Sequence, residues 1–140
     1  SKIDNSFAAY LSNIKSNPKE TYQIIEKLVI KPIPQSNFPG EGTYASVYKA
    51  LNKITDRLVA IKICPRYTDE HAYLTELDFL RKLDHPFIVK LQDVYATEDE
   101  IWEVLEYCQL GSVYDIVNNT GMPLSEPEIA CVCYSILQAL

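Results

Sequence analysis

The apolar run Leu58–Cys64 contains a single charged residue, Lys62, and this combination limits what the chain can fold into. Strand alternation places Ala60 and Lys62 on one face of the run. The other face carries the three β-branched residues Val59, Ile61 and Ile63. Burying an ammonium among apolar residues costs free energy unless it is paired. Two interpretations follow: the strand holds Lys62 against an acidic partner or a ligand, or it lies at an edge and its lysine reaches into water.

A carboxylate in the next predicted helix supplies an acidic partner. Helical spacing over residues 69–83 places Glu76 in line with Ala72 and Leu80, inside the apolar stripe. Two unpaired charges in separate apolar faces would each be costly, whereas a pair is tolerated. The sequence therefore predicts that Glu76 crosses to Lys62 and holds it against the phosphates of a ligand. The alternative is a partly exposed Glu76 at the edge of the stripe.

Two of the four glycines lie close together, just before a predicted strand. The segment reads Gly40-Glu41-Gly42-Thr43-Tyr44-Ala45-Ser46-Val47. Glycines at this spacing let the backbone approach a phosphate and direct its amides at the oxygens. A dinucleotide-binding loop enters a helix, whereas this loop enters a strand, which favours a loop folded over a nucleotide. The alternative is an ordinary turn.

Composition excludes several other classes. The chain has 140 residues, of which 47% are hydrophobic, so one globular domain or part of one is expected. Its formal net charge of −6 argues against a nucleic-acid binder, and no apolar run is long enough to span a membrane. The cysteines are not spaced as a disulfide or zinc framework, so reduced thiols in a cytosolic protein are expected. They are Cys64, Cys108, Cys131 and Cys133.

The remaining elements are predicted from periodicity and from turn residues. They are a helix over 3–16, a helix start or turn at Asn17-Pro18 that leads into Thr21–Leu28, a loop over 29–39, strands at Val47–Leu51, Leu58–Cys64, Ile88–Ala96 and Ile101–Cys108, and a short helix from Gly111-Ser112 to Asn118. A capping box, Ser125–Glu128, begins the last helix. Its apolar stripe is still running at Leu140, so the chain is expected to be truncated.

These motifs together resemble the small lobe of protein kinases. The series is G-x-G-x-x-A-x-V, V-A-I-K, a glutamate in the following helix, L-E-Y-C and G-S. The stretches N-P-K-E-T-Y-Q-I-I-E-K-L, H-P-F-I-V-K-L, L-E-Y-C-Q-L-G-S-V-Y-D-I and L-S-E-P-E-I-A are similar to the sterile-twenty group, especially its Hippo-type members. The resemblance covers about residues 17–140.

The resemblance implies an α+β fold: an antiparallel five-stranded sheet with one regulatory helix, followed by the first helices of a truncated large lobe. The domain organisation is then an N-terminal helical extension over 1–20, a small lobe over 21–108, and the hinge exit with the start of the large lobe over 109–140. Residues 29–39 form an apparent insertion before the glycine-rich loop. The family runs directly from E-K-L into G-E-G, so this insertion is either a genuine loop or a retained in-frame intron.

The resemblance also assigns site residues. Residues Gly40, Glu41, Gly42, Thr43, Tyr44, Ala45 and Val47 are expected to cover the phosphates. Val47 and Ala60 are expected to sandwich the adenine, and Lys62 to bind the α- and β-phosphates while Glu76 positions it. Leu105 is the expected gatekeeper at the back of the pocket. The hinge is Glu106, Tyr107 and Cys108, the rim is Gly111, Ser112 and Asp115, and the regulatory core behind the helix includes Leu80, Val89 and Leu91.

The implied function is a cytoplasmic serine/threonine kinase that transfers the γ-phosphoryl group of Mg-ATP to protein hydroxyls. The H-R-D and D-F-G motifs are absent from these 140 residues, so this segment alone is expected to be inactive, with the Mg²⁺ ligands in the missing large lobe. Regulatory or dimerisation partners are expected only through regions outside it. The alternative is a pseudokinase or scaffold that acts through protein contacts.

Three positions depart from the family. Pro39 replaces the usual aliphatic residue before the first glycine if the insertion is genuine, and Ala45 stands where a third glycine is usual. Glu103 lies two residues before Leu105, where the family prefers an apolar side chain. Its carboxyl group is expected either to have a raised pKa or to loosen the core, or else to compete with Glu76 for Lys62.

Overall fold

The computed structural model describes residues 14, 17–28, 46–65 and 77–140. Within these ranges, the strands are β1 (Tyr22–Lys27), β2 (Ser46–Asn52), β3 (Arg57–Pro65), β4 (Leu91–Ala96) and β5 (Glu100–Glu106). The helices with defined bounds are α1 (Pro18–Thr21), α2 (Val113–Thr120) and α3 (Glu126–Ala139). Residues 77–82 are also helical, which confirms the described part of the helix predicted over 69–83.

The strands form one antiparallel sheet in the order β1-β2-β3-β5-β4. The turn between β2 and β3 is held by Asn52, whose side-chain oxygen accepts hydrogen bonds from the amides of Ile54 and Thr55 at 2.9 and 3.2 Å. The hairpin between β4 and β5 closes through the Thr97 amide, which donates to the Glu100 carbonyl at 2.9 Å. Both turns agree with the sequence, which predicts a hairpin turn in the polar stretch Asn52–Arg57 and another in the acidic stretch Thr97–Glu100. Because β3 and β5 are interior strands, their backbones are fixed by hydrogen bonds on both sides.

Each face of the sheet carries its own apolar cluster. The first contains Tyr22, Ala50, Val59, Ile61, Tyr95, Trp102 and Val104, with Ile63 packed against it. The predicted shared face of Val59, Ile61 and Ile63 is therefore confirmed. The second contains Cys64, Leu77, Val94 and Ile101, with Ile14 and Leu91 packed against it. Leu77 is 1% exposed, so the helical residues 77–82 pack on this second face.

The ends of β2 and β3 lie within one residue of the predictions, whereas three other boundaries differ by two or three residues. β4 begins at Leu91 instead of Ile88, because the chain turns after Pro86, where the Ile88 amide donates to the His85 carbonyl. β5 ends at Glu106 instead of Cys108. α2 runs two residues past Asn118 and ends at Gly121, whose positive φ of 66° suits glycine.

The helix starts behave as their sequences predict. Pro18 opens α1, which leads directly into β1. Ser125 and Glu128 form the predicted capping box of α3. The α+β class and the five-stranded antiparallel sheet are confirmed, whereas the assignment of α2 and α3 to a large lobe stays a prediction. The predicted helix over 3–16, apart from Ile14, and the loop over 29–39 lie outside the described residues. Among the described helices, none has the length and apolar character needed to cross a membrane.

Candidate functional site

Lys62 lies near the centre of the sheet. Its register partners are Val47 on β2 and Glu103 on β5. Strand alternation places these three side chains on the same face, the one that also carries Ala60 and Cys64. The Lys62 side chain is 23% exposed, so it is neither fully buried nor free in solvent. The interpretation of Leu58–Cys64 as an edge strand is wrong, because β3 has a strand on each side.

An ion pair joins the interior strands β3 and β5. The Lys62 Nζ atom lies 3.7 Å from the Glu103 Oε2 atom, and the Glu103 side chain has no exposed surface. On its other side, Glu103 is opposite Val94 of β4. Of the alternatives left open for Glu103, the structure supports an interaction with Lys62. Whether Glu76 takes part is a prediction that lies outside the described residues.

Several predicted site residues also lie outside the described part of the chain. They are Gly40, Glu41, Gly42, Thr43, Tyr44, Ala45 and Glu76. Of the predicted phosphate loop, the structure describes Ser46 and Val47, which begin β2, as the strand-entry prediction requires. The pairing of Lys62 with Glu76 and the cover over the phosphates therefore stay predictions.

The predicted adenine-binding residues lie side by side. Ala60 is opposite Leu105 on β5, and Val47 is opposite Lys62, so the four positions form adjacent rungs of the sheet. Ala60 is buried, whereas Val47 and Leu105 are half-buried. Ala60 lies between Leu105 on β5 and Lys49 on β2, and Val47 is its diagonal neighbour on β2, so this face carries a shallow apolar surface between the two lysines.

The predicted hinge follows β5 directly. Glu106 and Cys108 are exposed and Tyr107 is half-buried. The Glu106 amide donates to the Lys90 carbonyl at 3.0 Å, so this amide is already used inside the protein. The ammonium of Lys49 lies 5.5 Å from the centre of the Tyr107 ring, a cation–π contact that ties β2 to the hinge.

Lys49 also takes part in a second cross-strand ion pair. Its Nζ atom lies 3.3 Å from the Glu26 Oε1 atom on β1. The hydrogen bond to Glu26 raises the pKa of Lys49 above its ordinary value, with a further contribution from Tyr107. Neither contact was part of the sequence analysis. The contact of Glu26 with Lys49 follows from the pairing of β1 with β2, and the register of this pairing cannot be read from the sequence.

The predicted rim residues form the N-terminal cap of α2. The Asp115 carboxylate accepts hydrogen bonds from the Ser112 hydroxyl at 2.6 Å and the Ser112 amide at 2.8 Å, and Ser112 Oγ accepts from the Asp115 amide. Gly111 has a φ of +71°, and a Cβ atom there would meet Asp115 Oδ2 at 2.8 Å. The structure thus gives these residues a local structural role, and their predicted binding role stays a prediction.

The predicted regulatory core is only partly assembled. Leu91 packs against the cluster that contains Leu77, and Leu80 is half-buried, but Val89 is 40% exposed. Leu77 was missed in the sequence analysis, although it lies three residues before Leu80 on the same helical face.

No group of three or more His, Cys, Asp or Glu residues that could hold a metal ion occurs within residues 14, 17–28, 46–65 and 77–140. The four cysteines all lie within the described residues and form no disulfide bond there. In a comparison with protein families, the family model described as "protein kinase domain" matches residues 35–140. The matched range contains β2 to β5, the ion pair of Lys62 and the hinge, and it leaves out β1.

Proposed function

Because the chain belongs to the protein kinase domain family, we propose that it is the ATP-binding part of a cytoplasmic serine/threonine kinase of the sterile-twenty group, similar to the Hippo-type members. The intact kinase transfers the γ-phosphoryl group of Mg-ATP to the hydroxyls of protein substrates. Family membership supports phosphoryl transfer to proteins in general. The serine/threonine specificity, the subfamily and the location rest on the sequence motifs described above.

The observation that carries this proposal is the position of Lys62. Its side chain is partly exposed on the sheet face that also carries Val47 and Ala60. An ammonium next to a shallow apolar surface suits a ligand with a flat apolar base at one end and phosphates at the other. These residues therefore fit ATP, with Val47 and Ala60 against the adenine, Leu105 at the back of the pocket and Lys62 on the phosphates.

The described residues do not fit a magnesium site, since none of their acidic groups cluster as metal ligands. We therefore assign no step to the metal within this segment. Phosphoryl transfer also needs a residue that orients the attacking hydroxyl. The H-R-D motif that would supply this residue and the D-F-G motif that would bind the metal are both absent from the 140 residues, so this segment alone is expected to be inactive.

The test is Lys62→Met in the full-length protein, with Lys90→Met as the matched control. Lys62→Met removes the charge directed at the phosphates, so phosphorylation of a generic basic protein should fall by about 100-fold or more. Lys90 forms an exposed ion pair with Asp84 and its side chain is 66% exposed, so its loss should leave the rate unchanged. A Lys62→Met rate within about tenfold of the unaltered protein would contradict the assignment.

A second candidate function is a pseudokinase or scaffold that acts through protein contacts. The observation that favours it is the fully buried carboxylate of Glu103 beside Lys62, which offsets the positive charge that phosphates need. Two measurements separate the candidates. Reading about the next 60 residues of the gene shows whether H-R-D and D-F-G are present, and titrating the full-length protein with ATP shows whether it binds nucleotide. Absence of both motifs together with absence of binding would favour the scaffold.

A further inference from the structure

The Lys62–Glu103 pair has a functional consequence beyond the family assignment. We propose that Glu103 is an in-sheet counter-ion of Lys62 that lowers the affinity of this site for polyphosphate ligands. The existence of the pair does not depend on the proposed function, whereas its effect on nucleotide binding does. Glu103 acts on the ligand through Lys62, so it is a residue that determines affinity and not a catalytic residue.

The first step of the argument is rigidity. Lys62 and Glu103 are directly opposite each other in the β3–β5 ladder. Side chains opposite each other in an antiparallel pair start from Cβ atoms only about 5 Å apart. Both strands are interior strands of the sheet, so neither backbone can move away without breaking hydrogen bonds on two sides. The position of Glu103 relative to Lys62 is therefore set by the sheet itself, independently of any helix.

The second step is the difference in exposure between the two partners. The Lys62 side chain is 23% exposed, whereas Glu103 is 0% exposed. Its neighbour across the β4–β5 ladder is Val94, and two residues away along β5 lie Ile101 and Leu105. The Glu103 side chain therefore has no contact with water, whereas part of the Lys62 side chain does. The negative charge of Glu103 thus stays in place when a ligand arrives.

The third step is electrostatic. An ion pair presents a much weaker positive field than an isolated ammonium, because the carboxylate charge cancels most of it at a distance. A buried carboxylate close to an incoming phosphate also repels it, and the interior screens this repulsion less than water does. The penalty should therefore grow with the number of phosphates on the ligand. A ligand without phosphates should not sense Glu103 at all.

The experiment uses Glu103→Gln in the full-length protein, since glutamine keeps the shape and removes the charge. Adenosine, ADP and ATP are titrated calorimetrically against this variant and the unaltered protein. We expect ATP affinity to rise about tenfold, ADP affinity to rise less, and adenosine affinity to stay within about twofold. The matched control is Glu26→Gln, which neutralises an exposed carboxylate that pairs with a lysine on the same face. This control should leave all three affinities unchanged.

Two results would overturn the inference: a fall in ATP affinity, or an equal change for adenosine and ATP, which would indicate a structural role only.

If no nucleotide binds to either protein, the proposed function fails. The ion pair is then tested by urea unfolding of Lys62→Met, Glu103→Met and the double variant. Lys62→Met leaves the buried carboxylate without this counter-ion and should lower the folding equilibrium constant about 100-fold. The double variant should recover most of that loss. Additive effects would refute the pair.

Discussion

The sheet contains the same kind of ion pair in two environments. Lys62 pairs with Glu103 at 3.7 Å, and Lys49 pairs with Glu26 at 3.3 Å. Both are directly opposed cross-strand pairs, and Lys49 lies opposite Ala60, so the two lysines share one face of the sheet. The lysines are nearly equally exposed, at 23% and 25%, but the carboxylates are 0% and 58% exposed.

We expect the burial of the carboxylates, and not the distance, to rank these pairs, so that the shorter pair is the weaker one. Glu26 lies on the edge strand β1, where water solvates the carboxylate whether or not Lys49 is present. Exposed pairs of this kind contribute little to stability. Glu103 lies on an interior strand and has no access to water, so removal of its partner leaves a buried charge. The position of the strand in the sheet therefore determines that the Glu103 carboxylate is buried and the Glu26 carboxylate is exposed.

Charge reversal should give the largest difference between the two ion pairs. Glu103→Lys places a second ammonium beside Lys62 in the sheet interior, so the free energy of unfolding should fall by about 3–5 kcal/mol. Glu26→Lys puts a like charge beside Lys49 at an exposed edge, and its effect should be a small fraction of that loss. Urea unfolding of the full-length variants, followed by circular dichroism, measures both. If Glu103→Lys does not fold, the milder variant Glu103→Gln is compared with Glu26→Gln instead. Equal losses of unfolding free energy at the two positions would show that burial of the carboxylate does not distinguish the two ion pairs.

Salt should weaken the two ion pairs to different extents. The coupling energy of each pair can be obtained from a double-mutant cycle with methionine, at about 0.01 M and about 1 M NaCl, where the Debye length falls from about 30 Å to about 3 Å. The cycle cancels the general effect of salt on stability. The Lys49–Glu26 coupling should disappear at high salt, whereas the Lys62–Glu103 coupling should keep most of its value. A parallel loss at both sites would mean that water and ions reach Glu103.

Much of the sheet could be predicted from the sequence. The strands β2, β3 and β5 follow from alternation, and their turns follow from Asn52–Asp56 and the acidic stretch before Glu100, since local turn chemistry and side-chain period are properties of short segments. The predicted strand Ile88–Ala96 begins three residues later than expected, at Leu91, because the chain turns at Pro86. The capping box of α3 was predicted because its two side chains satisfy each other locally.

The site was harder to predict, because it depends on register. The sequence shows that Lys62 needs a partner, and it offers Glu76 and Glu103 as candidates. Whether Glu103 faces the lysine depends on how β3 aligns with β5, and a shift of one residue would turn Glu103 to the other face. The contact of Lys49 with Tyr107 could not be predicted for the same reason, since the two residues are 58 positions apart in the chain.

The pH dependence of the exposed pair gives the smallest expected effect. Glu26 raises the pKa of Lys49, so the stability contributed by this pair is fully present below the unfolded value of about 10.4 and is lost as the pH rises through the higher folded value. Lys49→Arg keeps its charge throughout this window because arginine does not titrate there. The difference in unfolding free energy between Lys49→Arg and the unaltered protein should therefore shift in favour of arginine between about pH 9 and about pH 11.5. The other lysines titrate equally in both proteins and cancel. Profiles that stay parallel across this range would show that Lys49 is not held by Glu26 in solution.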